Sequence, residues 1–311
     1  MNACGVRGAI ARVCLSVALV LSAATSILGQ ASASGQESAP GQEPARFHHV
    51  HLNVTDPAAT MRFYQRVFGA VPVKFMGHTD ALFPERSFIL MTKVDAAPPG
   101  EIRSGIWHMG WGGVDVPHEY EWWKAQGVKI HTELYQLGNG WVTYLDGPDG
   151  ERIEINTQGH HRFAHIHLLA ADPNKTAQWY ADHLHLSLRR REVPKPADLT
   201  KVRAWSNSFN CDNVNFVVYH QPNYQPVPPW WDQKPLMAFE TSQGRPIDHV
   251  AFSFRDLDAA FARMKAAGVR IVKPIAVRPE DGGLKSFFVQ APDGVLVEIV
   301  QSKPIPEGVW E

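Results

Sequence analysis

The chain has 311 residues, 44% of them hydrophobic and 20% charged, with 30 basic and 31 acidic side chains giving a net charge of -1. That is enough for two ordinary globular domains with cores of their own, and it excludes a disordered chain. Interspersed charges of both signs leave no basic stripe for nucleic acid and no acidic tail, so polyanions are excluded as partners.

At the N-terminus, Arg7 and Arg12 precede an apolar run from Val13 to Leu28, and small residues follow in Gln30-Ala-Ser-Ala33. This is the layout of a signal peptide over residues 1–33, with cleavage after Ala31 or Ala33, and it predicts export to the periplasm or the extracellular space with no stable membrane anchor. Cys4 and Cys14 leave with that segment, and a lone Cys211 cannot close an internal disulfide. Export also weighs against glutathione or coenzyme A substrates. Residues 34–45, rich in Ser, Gly, Gln, Glu and Pro, read as a flexible linker.

The folded part then opens on a strand. In Phe47-His-His-Val-His-Leu-Asn-Val54, Val50, Leu52 and Val54 fall on one face and His49, His51 and Asn53 on the other, by the two-residue period of a strand. Asp56-Pro57 supplies a helix N-cap with proline in the first turn, Met61, Tyr64 and Phe68 recur at helical spacing, and Gly69 stops the helix. Phe163-Ala-His-Ile-His-Leu-Leu-Ala170 repeats the first strand 116 residues later, and Asp172-Pro173 repeats the cap.

Two further units carry His108 and His249 in alternating strands, helices near Glu119–Gln126 and Asp258–Ala267, and glycine stops at Gly127 and Gly268. Each half ends on a Pro-Asp-Gly turn followed by a glutamate, Glu154 or Glu298, flanked by isoleucine or valine. The pattern predicts an α+β protein of four βαβββ modules. The N-terminal pair occupies 46–158 and the C-terminal pair 163–302, with a Pro-rich insertion near 221–246 and a tail at 303–311.

Periodicity puts His49, His108 and Glu154 of the first half away from the helices, and likewise His165, His249 and Glu298 of the second. If each half curls its own strands into an open barrel, each trio meets in a cleft. Two imidazoles and a carboxylate leave about half of an octahedral sphere open, which suits a divalent ion such as Fe(II) or Mn, with Zn or Ni as further options. His51 and His167 share that face and are candidate acid–base groups. His48, His160 and His161 precede strands and read as surface residues. Trp230 and Trp231, within the Pro-rich stretch, read as a lid or as a loop packed on the barrel mouth.

His49-Val-His-Leu-Asn-Val-Thr-Asp56, the Phe63-Tyr64 helix, His108 and Gly147-Pro-Asp-Gly-Glu-Arg-Ile-Glu154 resemble the vicinal oxygen chelate superfamily of glyoxalases, extradiol dioxygenases, epimerases and bleomycin-resistance proteins. The resemblance covers Arg46 to Ser302. It implies two tandem open-barrel domains and metal ligation by His49, His108 and Glu154, and by His165, His249 and Glu298. The fourth ligand usual in glyoxalases and epimerases is missing, since Leu90 stands at its place and the third unit offers only Asn215, Tyr219 or His220.

Tyr144, ten residues before Glu154, matches the active-site tyrosine of extradiol dioxygenases, although Phe288 replaces it in the second half. Three ligands place dioxygenase-like ring cleavage of a small substrate, aromatic ones included, ahead of a glyoxalase- or epimerase-like lyase or isomerase. A metal-free binding protein of the bleomycin-resistance type comes after both. A monomer or homodimer is expected.

Overall fold

Asp56 caps the first helix as its sequence predicts: its carboxylate accepts the amide of Ala59, Pro57 follows, and Gly69 closes the other end in the left-handed region at φ 64°. The computed structural model describes residues 43–76, 79–197, 205–221, 238–279 and 283–301. The predicted signal peptide, most of the linker, the double-tryptophan lid and the C-terminal tail lie outside the described residues.

Module one comprises β1 (Arg46–Val54), α1 (Pro57–Phe68), β2 (Val71–Phe75), β3 (Thr79–Phe83) and β4 (Phe88–Lys93); module two comprises β5 (Ile106–Gly113), α2 (Val116–Ala125), β6 (Ile130–Leu137), β7 (Gly140–Asp146) and β8 (Arg152–Thr157). Module three has β9 (Phe163–Ala170), α3 (Pro173–Leu184), β10 (Ser206–Cys211) and β11 (Val214–His220). After α3 it shows two strands rather than three among the described residues, the other pairing being an isolated bridge between Leu188 and Phe209. Module four completes the chain with β12 (Ile247–Phe254), α4 (Leu257–Ala266), β13 (Ile271–Arg278), β14 (Leu284–Gln290) and β15 (Leu296–Gln301).

The strands form two mixed sheets, of eight strands in the order β13-β14-β15-β12-β1-β4-β3-β2 and of seven in the order β10-β11-β9-β5-β8-β7-β6. Each first strand pairs in parallel with the last strand of its own module and antiparallel with the first strand of another: β1 with β12 and β5 with β9. The modules therefore pair one with four and two with three. This corrects the expectation that each half builds its own barrel. Residues 158–162 are all that separates β8 from β9, and this short connection keeps modules two and three adjacent while modules one and four close on each other.

The helix-facing side chains form one core. Val50, Leu52 and Val54 are buried with Tyr64, Trp111, Ile166 and Leu168, and Phe68 stacks on Trp111 at 4.4 Å between ring centroids. The Pro-Asp-Gly turns are tie points between modules. Asp149 accepts the amide and hydroxyl of Thr55 at 3.1 and 2.7 Å, and Asp293 accepts the amide of Ala171 and the hydroxyl of Thr176 at 3.1 and 2.6 Å. Gly150 and Gly294 follow at φ 87° and 77°, a backbone that glycine adopts without strain.

Candidate metal centres

Histidine alternation on β1 and β12 aims His49 and His249 at one point inside the eight-stranded sheet, and β15 sends Glu298 to the same place. Their donor atoms form a near-equilateral triangle: His49 Nε2 to His249 Nε2 is 3.4 Å, and Glu298 Oε2 is 3.2 Å from each. Such separations match neighbouring ligands on one ion with bonds of about 2.0–2.2 Å. All three residues are buried.

The seven-stranded sheet repeats the arrangement with His108 on β5, Glu154 on β8 and His165 on β9. His108 Nε2 lies 3.0 Å from Glu154 Oε2 and His165 Nε2 lies 3.5 Å from Glu154 Oε1. His167 joins them, with Nδ1 3.7 Å from Glu154 Oε2.

All six predicted ligands thus sit at centres, but in other company than the sequence suggested. His49 does not meet His108 and Glu154, and His165 does not meet His249 and Glu298. The trios are His49, His249 and Glu298 in an outer centre, and His108, Glu154 and His165 in a middle one. The reason is the pairing of first strands across halves.

The donors fit a metal ion. In the middle centre the Nε2 atoms of His108 and His165 are buried without a hydrogen-bond partner among the described residues, although oxygens of Glu154 lie 3.0 and 3.5 Å away. Buried polar atoms left so are costly unless something else is coordinated. Room for His165 comes from Gly110, which pairs with it across β5 and β9; a Cβ there would lie 2.1 Å from His165 Nε2. Ala251 on β12 occupies the matching position opposite His49 in the outer centre.

The two glutamates are held differently. Glu298 Oε1 accepts the hydroxyl of Ser286 at 2.5 Å, and Arg278 Nε donates to that hydroxyl at 2.9 Å. Glu154 accepts Tyr144 Oη at 2.6 Å and Asn156 Nδ2 at 2.8 Å. Burial alone would raise both carboxyls, but the adjoining histidines hold each well below the usual carboxylate range. Tyr144 is the register partner of Glu154, and Phe288 is that of Glu298. The two rings also sit alike, edge-on to His108 at 5.2 Å and to His249 at 5.0 Å.

The remaining candidates also fall at the centres. The His51 ring stacks on His249 at 4.5 Å, and its Nε2 is 2.7 Å from Thr92 Oγ1. Burial, then the positive charge of His249 and His49, keeps it well below the ordinary histidine value. His167 stacks on His165 at 4.3 Å and packs against Tyr219 at 5.1 Å. Leu90, at the place of the fourth ligand usual in glyoxalases, is the register partner of His51 and is buried in an apolar cluster with Phe75, Ala81 and Ala251.

Two residues escaped the sequence reading. His48, expected at the surface, is half-buried against Phe75 and Phe88, and its Nδ1 lies 2.8 Å from His49 Nδ1. Asp248 Oδ1 lies 2.6 Å from His249 Nδ1. An acid immediately before a strand histidine was the available signal for Asp248. Burial opposes charge on His249, yet its bonds to Asp248 and Glu298 push it up to about 9.

A family model described as the Glyoxalase/Bleomycin resistance protein/Dioxygenase superfamily matches residues 46–155 and 162–299. Glyoxalase I of Saccharomyces cerevisiae is 22% identical over 312 residues, covering 81% of this chain and 91% of its own. A lactoylglutathione lyase of Arabidopsis thaliana is 26% identical over 160 residues, covering 50% of this chain and 49% of its own length, so the chain spans about half of that relative. Among solved structures, glyoxalase I from Zea mays superposes with a TM-score of 0.62 at 20% identity, covering 82% of this chain and 92% of that one. That likeness is one of fold.

Proposed function

The chain belongs to the Glyoxalase/Bleomycin resistance protein/Dioxygenase superfamily, and from that premise we propose that it is a metal-dependent lyase or isomerase of glyoxalase type. Its substrate in this reading is a small molecule with oxygens on adjacent carbons. The observation that carries the proposal is the triangle of His49 Nε2, His249 Nε2 and Glu298 Oε2, with sides of 3.2 to 3.4 Å. We prefer the lyase reading to the ring-cleaving one expected from the count of three ligands, and its support is that the relatives matched over most of their length or in part are named glyoxalase I and lactoylglutathione lyase.

A divalent ion at the triangle would polarise the two substrate oxygens, acidify the adjoining C–H and stabilise the negative charge that proton removal leaves. The chain's own residues do the rest. His49, His249 and Glu298 hold the ion, and the apolar surround of Leu90, Ala251 and Phe288 excludes water from the reacting carbons. His51, neutral and stacked beside His249, takes the proton from one carbon and returns it to the next.

The test offers metal-loaded protein the hemithioacetal of an α-oxoaldehyde and a small thiol. The expected result is thioester formation without dioxygen uptake. Dioxygen consumption with catechols and no thioester would put ring cleavage in its place. Export is a separate proposal, motivated by residues 1–33, and cell fractionation of the full chain decides it: a cytosolic, uncleaved product overturns it.

A further inference from the structure

The two centres are alike in ligand set and unlike in what stands behind the ligands. In the outer centre both imidazoles are fixed from the far side of the ring. His249 Nδ1 is 2.6 Å from Asp248 Oδ1, and that carboxylate is itself held by Asn53 Nδ2 at 3.0 Å and the amide of Gly244 at 2.7 Å. His49 Nδ1 is 2.8 Å from His48 Nδ1, with the His48 ring wedged between Phe75 and Phe88.

In the middle centre the same strand positions hold Trp107 before His108 and Ala164 before His165. Neither offers a carboxylate or an imidazole. The Nδ1 of His108 is buried with no hydrogen-bond partner among the described residues. A ligating imidazole whose other nitrogen is hydrogen-bonded is locked in tautomer and orientation and made a stronger donor, and loss of such a partner typically weakens metal affinity by about 10–100-fold.

We propose that the two centres are of unequal affinity: the outer centre, backed by Asp248 and His48, is the tight metal site that supports the reaction, and the middle centre is a weaker, separately loading site. Asp248 and His48 are positioning residues. With Nε2 of His249 and His49 turned to the ion, each Nδ1 carries the proton; His249 donates it to Asp248, and His49 donates to His48, whose own proton then resides on Nε2. Among the described residues His108 Nδ1 has no such lock, so that ring must be ordered by the ion itself. This inference rests on reading both trios as metal sites.

The experiment titrates the metal-free full chain with Zn(II) and with Co(II), against a competing chelator, following Co(II) absorption. Two affinity classes are expected, the tighter one abolished by Glu298→Gln and the weaker by Glu154→Gln. Asp248→Asn, which keeps the side-chain volume, weakens the tight class by about 10–100-fold and leaves the weak class unchanged. His48→Ala weakens the tight class too, and metal-free melting curves within a few degrees of wild type exclude misfolding as the cause. Two classes with the tight one at Glu154, or an Asp248→Asn affinity within twofold of wild type, overturns the inequality. No binding at either trio overturns the metal reading that precedes it.

Discussion

His49 and His249, 200 residues apart in the chain, bring their Nε2 atoms to 3.4 Å, each facing the same carboxylate oxygen of Glu298. Two ring nitrogens at that distance cannot both carry protons without repulsion, and the arrangement persists because β1 and β12 zip antiparallel with His51 opposite His249. Metal counting follows directly. His49→Ala and His249→Ala each remove the same equivalent of bound metal, whereas His108→Ala and His165→Ala remove the other. Elemental analysis of the single and double variants checks this: His49→Ala with His249→Ala keeps one equivalent, and His49→Ala with His108→Ala keeps none.

Gly110 controls the middle centre by its missing side chain. Gly110→Ala puts a methyl group 2.1 Å from where His165 Nε2 stands, so the ring must turn away from Glu154. The expected outcome is loss of the middle equivalent, with the outer one retained, and destabilisation of about 1–3 kcal/mol from overpacking. Urea unfolding beside metal analysis reads both effects.

Tyr144 orients Glu154 through its 2.6 Å hydrogen bond, and Phe288 does without that bond at the outer centre. Tyr144→Phe is therefore expected to weaken metal binding at the middle centre by up to about 100-fold, in keeping with a net worth of about 1.5–3 kcal/mol for a hydrogen bond to a charge. Turnover at the outer centre stays unchanged. A collapse of all activity in Tyr144→Phe would make this tyrosine a reacting group instead.

His51 is assigned the proton transfer, so His51→Asn is expected to lower turnover by about 100- to 10,000-fold while both metal equivalents remain bound. Solvent deuterium incorporation into substrate separates the roles. If exchange continues at the wild-type rate in His51→Asn, the base is another group.

Glu151 gives a pH dependence of stability. Burial raises its carboxyl to about 7, outweighing the bond it accepts from Tyr64 Oη at 2.7 Å. The folded protein therefore keeps this proton up to about pH 7 while the unfolded chain releases it near 4.5. The resulting stability is complete below about pH 4.5 and is lost as pH rises through 7, amounting to about 3 kcal/mol. Comparing wild type with Glu151→Gln by urea unfolding between pH 5 and 8 isolates this group: the variant gains on wild type as pH rises. A constant difference across the range contradicts the assignment.

Much of this protein is written in short-range patterns. Alternation along Phe47–Val54 and its repeat at Phe163–Ala170 fixes which side chains face the helices, because a strand turns its residues over with each step. Asp56-Pro57 and Asp172-Pro173 start helices where they do because a carboxylate can accept the free first-turn amides and proline has none to lose. Those local rules determined four modules and six ligand candidates on the strand faces away from the helices.

Which modules become neighbours is a different matter. The repeat shows that β1 resembles β9, yet resemblance carries no information about which open strand edge each will meet. The closeness of β8 to β9 and the antiparallel fit of β1 on β12 decide that, and with it the company of every ligand. The same holds for Asp248 and His48. Their residue types are plain in the chain, but hydrogen-bond partnership depends on side-chain orientations within the eight-stranded sheet that bring the ring nitrogens to 2.6 and 2.8 Å from their partners.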